Sequence, residues 1–135
     1  STQSDGHPFH EGALSMLKTF SARPEIALVT HPLVFDEFWY VLIGLWKRNL
    51  KFSKQELTTM LLLSTDNIFR FRRFKLLSTS LSKKDLLQNV TLMGKTGLKP
   101  RDALIVTIMK KESIGKIASF DKDFDPIKGI TRLSK

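Results

Sequence analysis

The chain has 135 residues and no cysteine, so neither a disulfide framework nor a thiolate zinc site is open to it. It also lacks a long apolar run. The most apolar stretch, Leu33–Trp46, is too short to cross a bilayer and carries Asp36 and Glu37. The first residues are polar and contain no apolar core segment, so a secretory leader is not expected. A soluble, cytoplasmic protein without membrane contact is the expectation. No glycine-rich fingerprint follows a strand, which argues against a nucleotide-binding or redox α/β protein. Gly94-Lys95-Thr96 resembles the end of a phosphate-binding loop, but its first glycine would fall at Asn89, inside an expected helix. Acids are scarce too: 13 Asp plus Glu stand against 22 Lys plus Arg, a net charge of +9. Such an excess favours polyanionic partners through counterion release. The remaining composition, 41% hydrophobic and 26% charged, is that of one ordinary globular domain.

Helices and strands alternate along the sequence. Residues Pro8–Phe20 form an expected helix with Leu14, Leu17 and Phe20 inward, ended by Arg23-Pro24. Glu25–Thr30 is rich in Ile, Leu and Val, as a buried parallel strand should be. Pro32 opens a second helix to about Lys47, apolar almost all round and so expected to be deeply buried. Ser53 with Glu56 and Ser82 with Asp85 form two capping boxes. The first starts a helix carrying Leu57, Met60, Leu61 and Leu63 inward; the second starts one running through Met93. Phe74–Leu77 suits a short edge strand. Gly97 then breaks the chain, Pro100 opens a helix to about Glu112, and Ile117–Phe120 makes a short strand. This alternation predicts an α/β protein with a parallel sheet and helices on both faces, a three-layer α/β/α arrangement.

Four acids stand out by position. Asp102 lies in the first turn of its helix, where the macrodipole favours an anion; stabilising that start is the simpler role. Asp121 closes a strand and opens a turn with Asp123, and acids in turns commonly cap local backbone groups. In an open α/β sheet, a helix start and a strand end both lie along the edge where ligands bind. Asp36 and Glu37 interrupt the apolar second helix, where a buried charge costs several kcal/mol unless paired or bound to metal. Among the basic residues, Arg70-Phe71-Arg72-Arg73-Phe74-Lys75 interleaves cations with aromatics, a pattern that holds single-stranded RNA but equally suits a solvated face over two core phenylalanines. His7, His10 and His31 lack the spacing of a zinc site and are expected to be solvated or capping.

The segments Gly97-Leu98-Lys99-Pro100-Arg101-Asp102-Ala103-Leu104, Ser119-Phe120-Asp121-Lys122-Asp123-Phe124 and Gly129-Ile130-Thr131-Arg132-Leu133 closely resemble the C-terminal half of the PIN domain family, which includes the VapC-type toxins. The resemblance is dense over Gly97–Leu133 and looser back to about His7. It implies a PIN-like fold for residues 1–135 and a metal-dependent endoribonuclease, the toxin of a toxin–antitoxin pair. It selects Glu37 over Asp36, and assigns Glu37, Asp102 and Asp121 as catalytic, metal-holding carboxylates. It leaves Asp123 to cap the turn and makes Ser119 a supporting hydrogen-bonding residue. Oxygen-only ligation suits Mg²⁺ or Mn²⁺, which would activate water for in-line attack on a phosphodiester. Lys99, Arg101 and Lys122 flank those acids and are placed to grip RNA phosphates, with Arg70, Arg72 and Arg73 as a second basic stretch. A homodimer and an antitoxin partner are further expectations of the resemblance.

One element of the family pattern is missing. Family members begin with a strand ending in a metal-binding Asp, whereas Ser1–Gly6 is polar. The expectation is therefore that an apolar segment ending in Asp lies roughly 5–12 residues upstream of Ser1. The competing expectation is a non-catalytic RNA-binding or interaction module on a degenerate PIN fold.

Overall fold

Ser53 and Ser82 each start a helix by the same reciprocal pairing. The Ser53 Oγ accepts the Glu56 N–H at 3.1 Å while Glu56 Oε1 accepts the Ser53 N–H at 2.9 Å. At Ser82 the matching distances, with Asp85, are 3.2 and 2.8 Å. Each box satisfies two of the four backbone donors that a helix start leaves without partners. The computed structural model describes residues 15, 18–20, 22–49, 51–71 and 73–134. The helix expected over residues 8–20 falls mostly outside them, as do His7, His10 and Arg72. The described residues fall into two compact units, one within Phe20–Ser78 and one within Thr79–Lys135 together with the described residues up to Thr19.

In the first unit, β1 (Leu28–Thr30) leads through His31 into α1 (Pro32–Asn49), followed by α2 (Lys54–Phe69) and β2 (Phe74–Leu76). Strands β1 and β2 pair in parallel, with Leu28 opposite Phe74 and Thr30 opposite Leu76. His31 caps α1, its Nδ1 accepting the Leu33 N–H at 3.2 Å, in agreement with a capping role. The core is aromatic. Phe35 is buried, stacks on Phe69 at 5.3 Å and meets Trp39 at 5.6 Å, and Phe69 meets Phe74 edge-on at 5.5 Å. The Trp39 indole donates to Thr65 Oγ1 at 2.9 Å, tying α1 to α2.

Deep burial of α1 on all sides is not what the structure has. Tyr40 is 74% exposed, and Val34, Trp39 and Val41 are exposed as well. A unit of this size has too little mass to surround an 18-residue helix on every side, so only the stripe centred on Phe35 turns inward. Leu63 is likewise exposed, because it lies off the Leu57, Leu61, Thr65 stripe that faces inward. Helix α2 runs without a break through Ser64–Asn67 to Phe69.

The second unit contains α3 (Lys83–Thr96), α4 (Pro100–Lys111), β3 (Lys116–Ala118), a single 3-10 turn at Lys122–Phe124, and β4 (Thr131–Leu133). Strands β3 and β4 are parallel, with Ile117 opposite Arg132. Gly97 ends α3 at φ +74° and its N–H donates to the Met93 carbonyl at 2.9 Å. That left-handed conformation is what reserves the position for glycine. Helices α3 and α4 are locked in register by Lys111 with Asp85 at 2.6 Å and by Thr107 donating to the buried Asn89 at 2.8 Å. The core joins Leu98, Ala103, Val106 and Met109 to Phe124, Ile127 and Ile130. Among the described residues, no helix is long and apolar enough to cross a membrane.

Candidate functional site

Asp102 is positioned by the sharpest local signal in the chain. After the Gly97 turn, Leu98 is buried and Lys99 takes the cap position, its carbonyl accepting the Ala103 N–H at 2.9 Å. Pro100 occupies the first turn of α4, where its missing N–H costs nothing. Asp102 follows two residues later, only 9% exposed, beside Ala103, which is fully buried. Acids are almost never this buried without a role or a partner. The first turn of α4 is also where backbone N–H groups and the macrodipole stabilise negative charge. Lys99 is exposed and Arg101 half-buried, so cations bracket the carboxylate in sequence.

Asp121 follows β3 in the same unit. Ser119 Oγ accepts the Asp121 N–H at 3.0 Å, and Asp121 Oδ1 accepts the Asp123 N–H at 2.9 Å. Asp121, rather than Asp123, therefore caps the 3-10 turn, which corrects the expected division of labour between them. Two acids separated by one residue are chemically equal candidates; the extended backbone at Asp121 (φ −81°, ψ 111°) decides which side chain reaches forward. Ser119 acts on the Asp121 backbone and not on a carboxylate. Asp121, Lys122 and Asp123 are all exposed.

A residue that the sequence did not single out holds this loop. Arg132 on β4 pairs with both oxygens of Asp125, at 2.7 and 3.2 Å, and donates to the Ser119 carbonyl at 3.1 Å. The Arg132 guanidinium holds the Asp125 carboxyl below its usual range. The available signal was faint: an arginine between Thr131 and Leu133 in the closing strand.

Glu37 sits on α1, in the other unit, and is exposed. It shares a face with Val34, Tyr40 and Val41, so the cost of burial expected for it does not arise. Of the second basic stretch, Arg70 pairs with Asp66 at 2.9 Å across one helical turn, and Arg73 is exposed at φ +59°. Phe74 packs on Phe69 and Phe71 is half-buried, so these aromatics serve packing rather than a stacking platform. Among the described residues, no three His, Asp or Glu side chains gather closely enough to hold a metal ion.

A family model decides the larger question. The PIN domain model matches residues 3–130, nearly the whole chain and both units. This chain belongs to the PIN domain family. Its α/β composition and parallel strand pairs are those of a PIN fold. PIN domains are in general nuclease domains that bind RNA and use divalent metal ions, Mg²⁺ or Mn²⁺. No curated protein and no solved structure matches the chain. The donors available to this PIN domain fit such an ion. They are carboxylate oxygens without thiolates, and Mg²⁺ is commonly held by one or two carboxylates together with water and substrate phosphate.

Proposed function

We propose that this PIN domain is a Mg²⁺- or Mn²⁺-dependent endoribonuclease of the VapC type, the cytoplasmic toxin of a toxin–antitoxin pair acting as a homodimer. The observation that carries the proposal is Asp102, a buried carboxylate in the first turn of α4, reached through Lys99-Pro100-Arg101. Asp102 and Asp121, with Glu37, would hold the ion. When bound, the ion supplies Lewis-acid stabilisation of the charge that develops on the scissile phosphate and lowers the pKa of attacking water. The chain's own residues do the rest. Ser119 and Arg132 fix the backbone around Asp121, which limits where its carboxylate can stand. Lys99, Arg101 and Lys122 bring cations to the phosphodiester, where each neutralised phosphate strengthens RNA binding.

The alternative is a non-catalytic RNA-binding or interaction module on the same fold. One experiment separates the two: single-stranded RNA incubated with the protein and Mg²⁺ or Mn²⁺, then with excess EDTA. Cleavage that needs the ion and stops on chelation supports the nuclease. RNA binding without cleavage at any metal concentration supports the module. A short reading frame for a DNA-binding protein directly upstream would support the toxin assignment, and its absence would remove it.

A further inference from the structure

A groove of about 480 Å³ runs between α3 and α4, lined by Asp85, Gln88, Thr91 and Lys95 from one helix and Lys110 and Lys111 from the other. Its charge is not balanced. Asp85 is consumed by Lys111, at 2.6 Å, and Lys111 also donates to the Ser80 carbonyl at 2.7 Å. Nearby Glu112 accepts from Thr79 Oγ1 at 2.5 Å. Among the described residues, Lys95 and Lys110 have no anionic partner, so the groove carries two uncompensated cations.

The helix register fixes how those cations are spaced. Asp85 lies level with Lys111 and Asn89 with Thr107, so α3 and α4 run antiparallel and each step along one matches a step back along the other. Lys110 is then level with Leu86, and Lys95 with Arg101. Nine residues of helix separate the two lysines, about 14 Å along the axis at 1.5 Å per residue. That is roughly four nucleotides of a stacked strand at about 3.4 Å each. The Lys95 end of the groove lies level with the first turn of α4.

We infer that the α3–α4 groove is a binding track for the phosphate backbone of single-stranded RNA, with Lys95 and Lys110 as its two phosphate contacts. It rests on the RNA-binding part of the proposed function and not on cleavage. Lysine is a point-charge phosphate ligand. A peptide partner would need apolar anchors, and of the groove's lining only Leu92 offers one.

The test is the salt dependence of binding to a short fluorescein-labelled single-stranded RNA, measured by anisotropy in EDTA so that nothing is cleaved. Each phosphate contact on a single strand contributes about 0.7 to the slope of log K against log salt. Lys95→Gln with Lys110→Gln should therefore lower the slope by about 1.4 and weaken binding about 25-fold at 0.1 M salt. The Lys95→Arg, Lys110→Arg pair should keep both. Lys95→Gln alone should lower the slope by about 0.7, which preserves the test should the double variant fail to fold. An unchanged slope overturns the track, as does native protein that binds no RNA. Loss of polyglutamate binding in the Gln variants with RNA binding intact overturns it in favour of an acidic protein partner. Native protein that cleaves RNA while the slope is unchanged leaves the nuclease standing and removes the track. A slope that falls in a protein that never cleaves does the reverse.

Discussion

Replacing Asp102 by Asn removes one charge and leaves the shape. The side chain is 9% exposed beside fully buried Ala103, so an isosteric change opens no cavity and forces no repacking. Its stability cost includes the lost interaction of a carboxylate with the α4 N-terminus, about 0.3–1 kcal/mol. Its catalytic cost is of another size. A divalent ion contributes several kcal/mol of transition-state charge stabilisation, and loss of roughly 3 kcal/mol corresponds to about 150-fold in rate. Initial rates on labelled single-stranded RNA at saturating Mg²⁺, normalised to the folded fraction from urea melts, separate the two. The expected result is a small shift in midpoint with a rate loss of two orders of magnitude or more. Asp102→Asn that unfolds the protein while each folded molecule still turns over would show that Asp102 is structural.

Two further predictions concern the second unit. Lys111→Gln removes the largest cause of the low Asp85 pKa, about 2 against an ordinary 3.8. A depressed carboxylate pKa adds stability that is present above the unfolded value and lost as pH falls through the folded one. The gap between native protein and Lys111→Gln in urea melts should therefore narrow from pH 3.8 to pH 2, and a gap that widens over that range would refute the pairing. Gly97→Ala should cost about 1–2 kcal/mol through backbone strain alone, since φ is +74° and a Cβ there would meet nothing within 4 Å; D-Ala at the same position, introduced by ligation, should restore stability.

What the sequence revealed was mainly local hydrogen-bond chemistry. Ser53, Ser82, Gly97 and Pro100 each solve a helix-end problem that has few solutions, so their elements start or stop where expected. The helix-start placement of Asp102 was legible for the same reason. What depends on packing was not. An apolar helix such as α1 shows that some face must be covered but not which, and only the aromatic contacts of Phe35 select it. Asp121 and Asp123 differ in nothing but backbone angle, so their roles in the turn had to come from the structure. Arg70 was readable in hindsight, because Asp66 stands one helical turn before it. The groove lysines were hidden by antiparallel packing, which brings Lys95 and Lys110 to one face from opposite ends of a hairpin.

In the proposed function Asp102 and Asp121 hold a divalent ion. Mn²⁺ titrated into the native protein and into the Asp102→Asn, Asp121→Asn pair, followed by electron paramagnetic resonance of free Mn²⁺, tests it most directly. The native protein should bind Mn²⁺ saturably, and the double variant should lose that binding while remaining folded. Equal Mn²⁺ binding by the two proteins would contradict it.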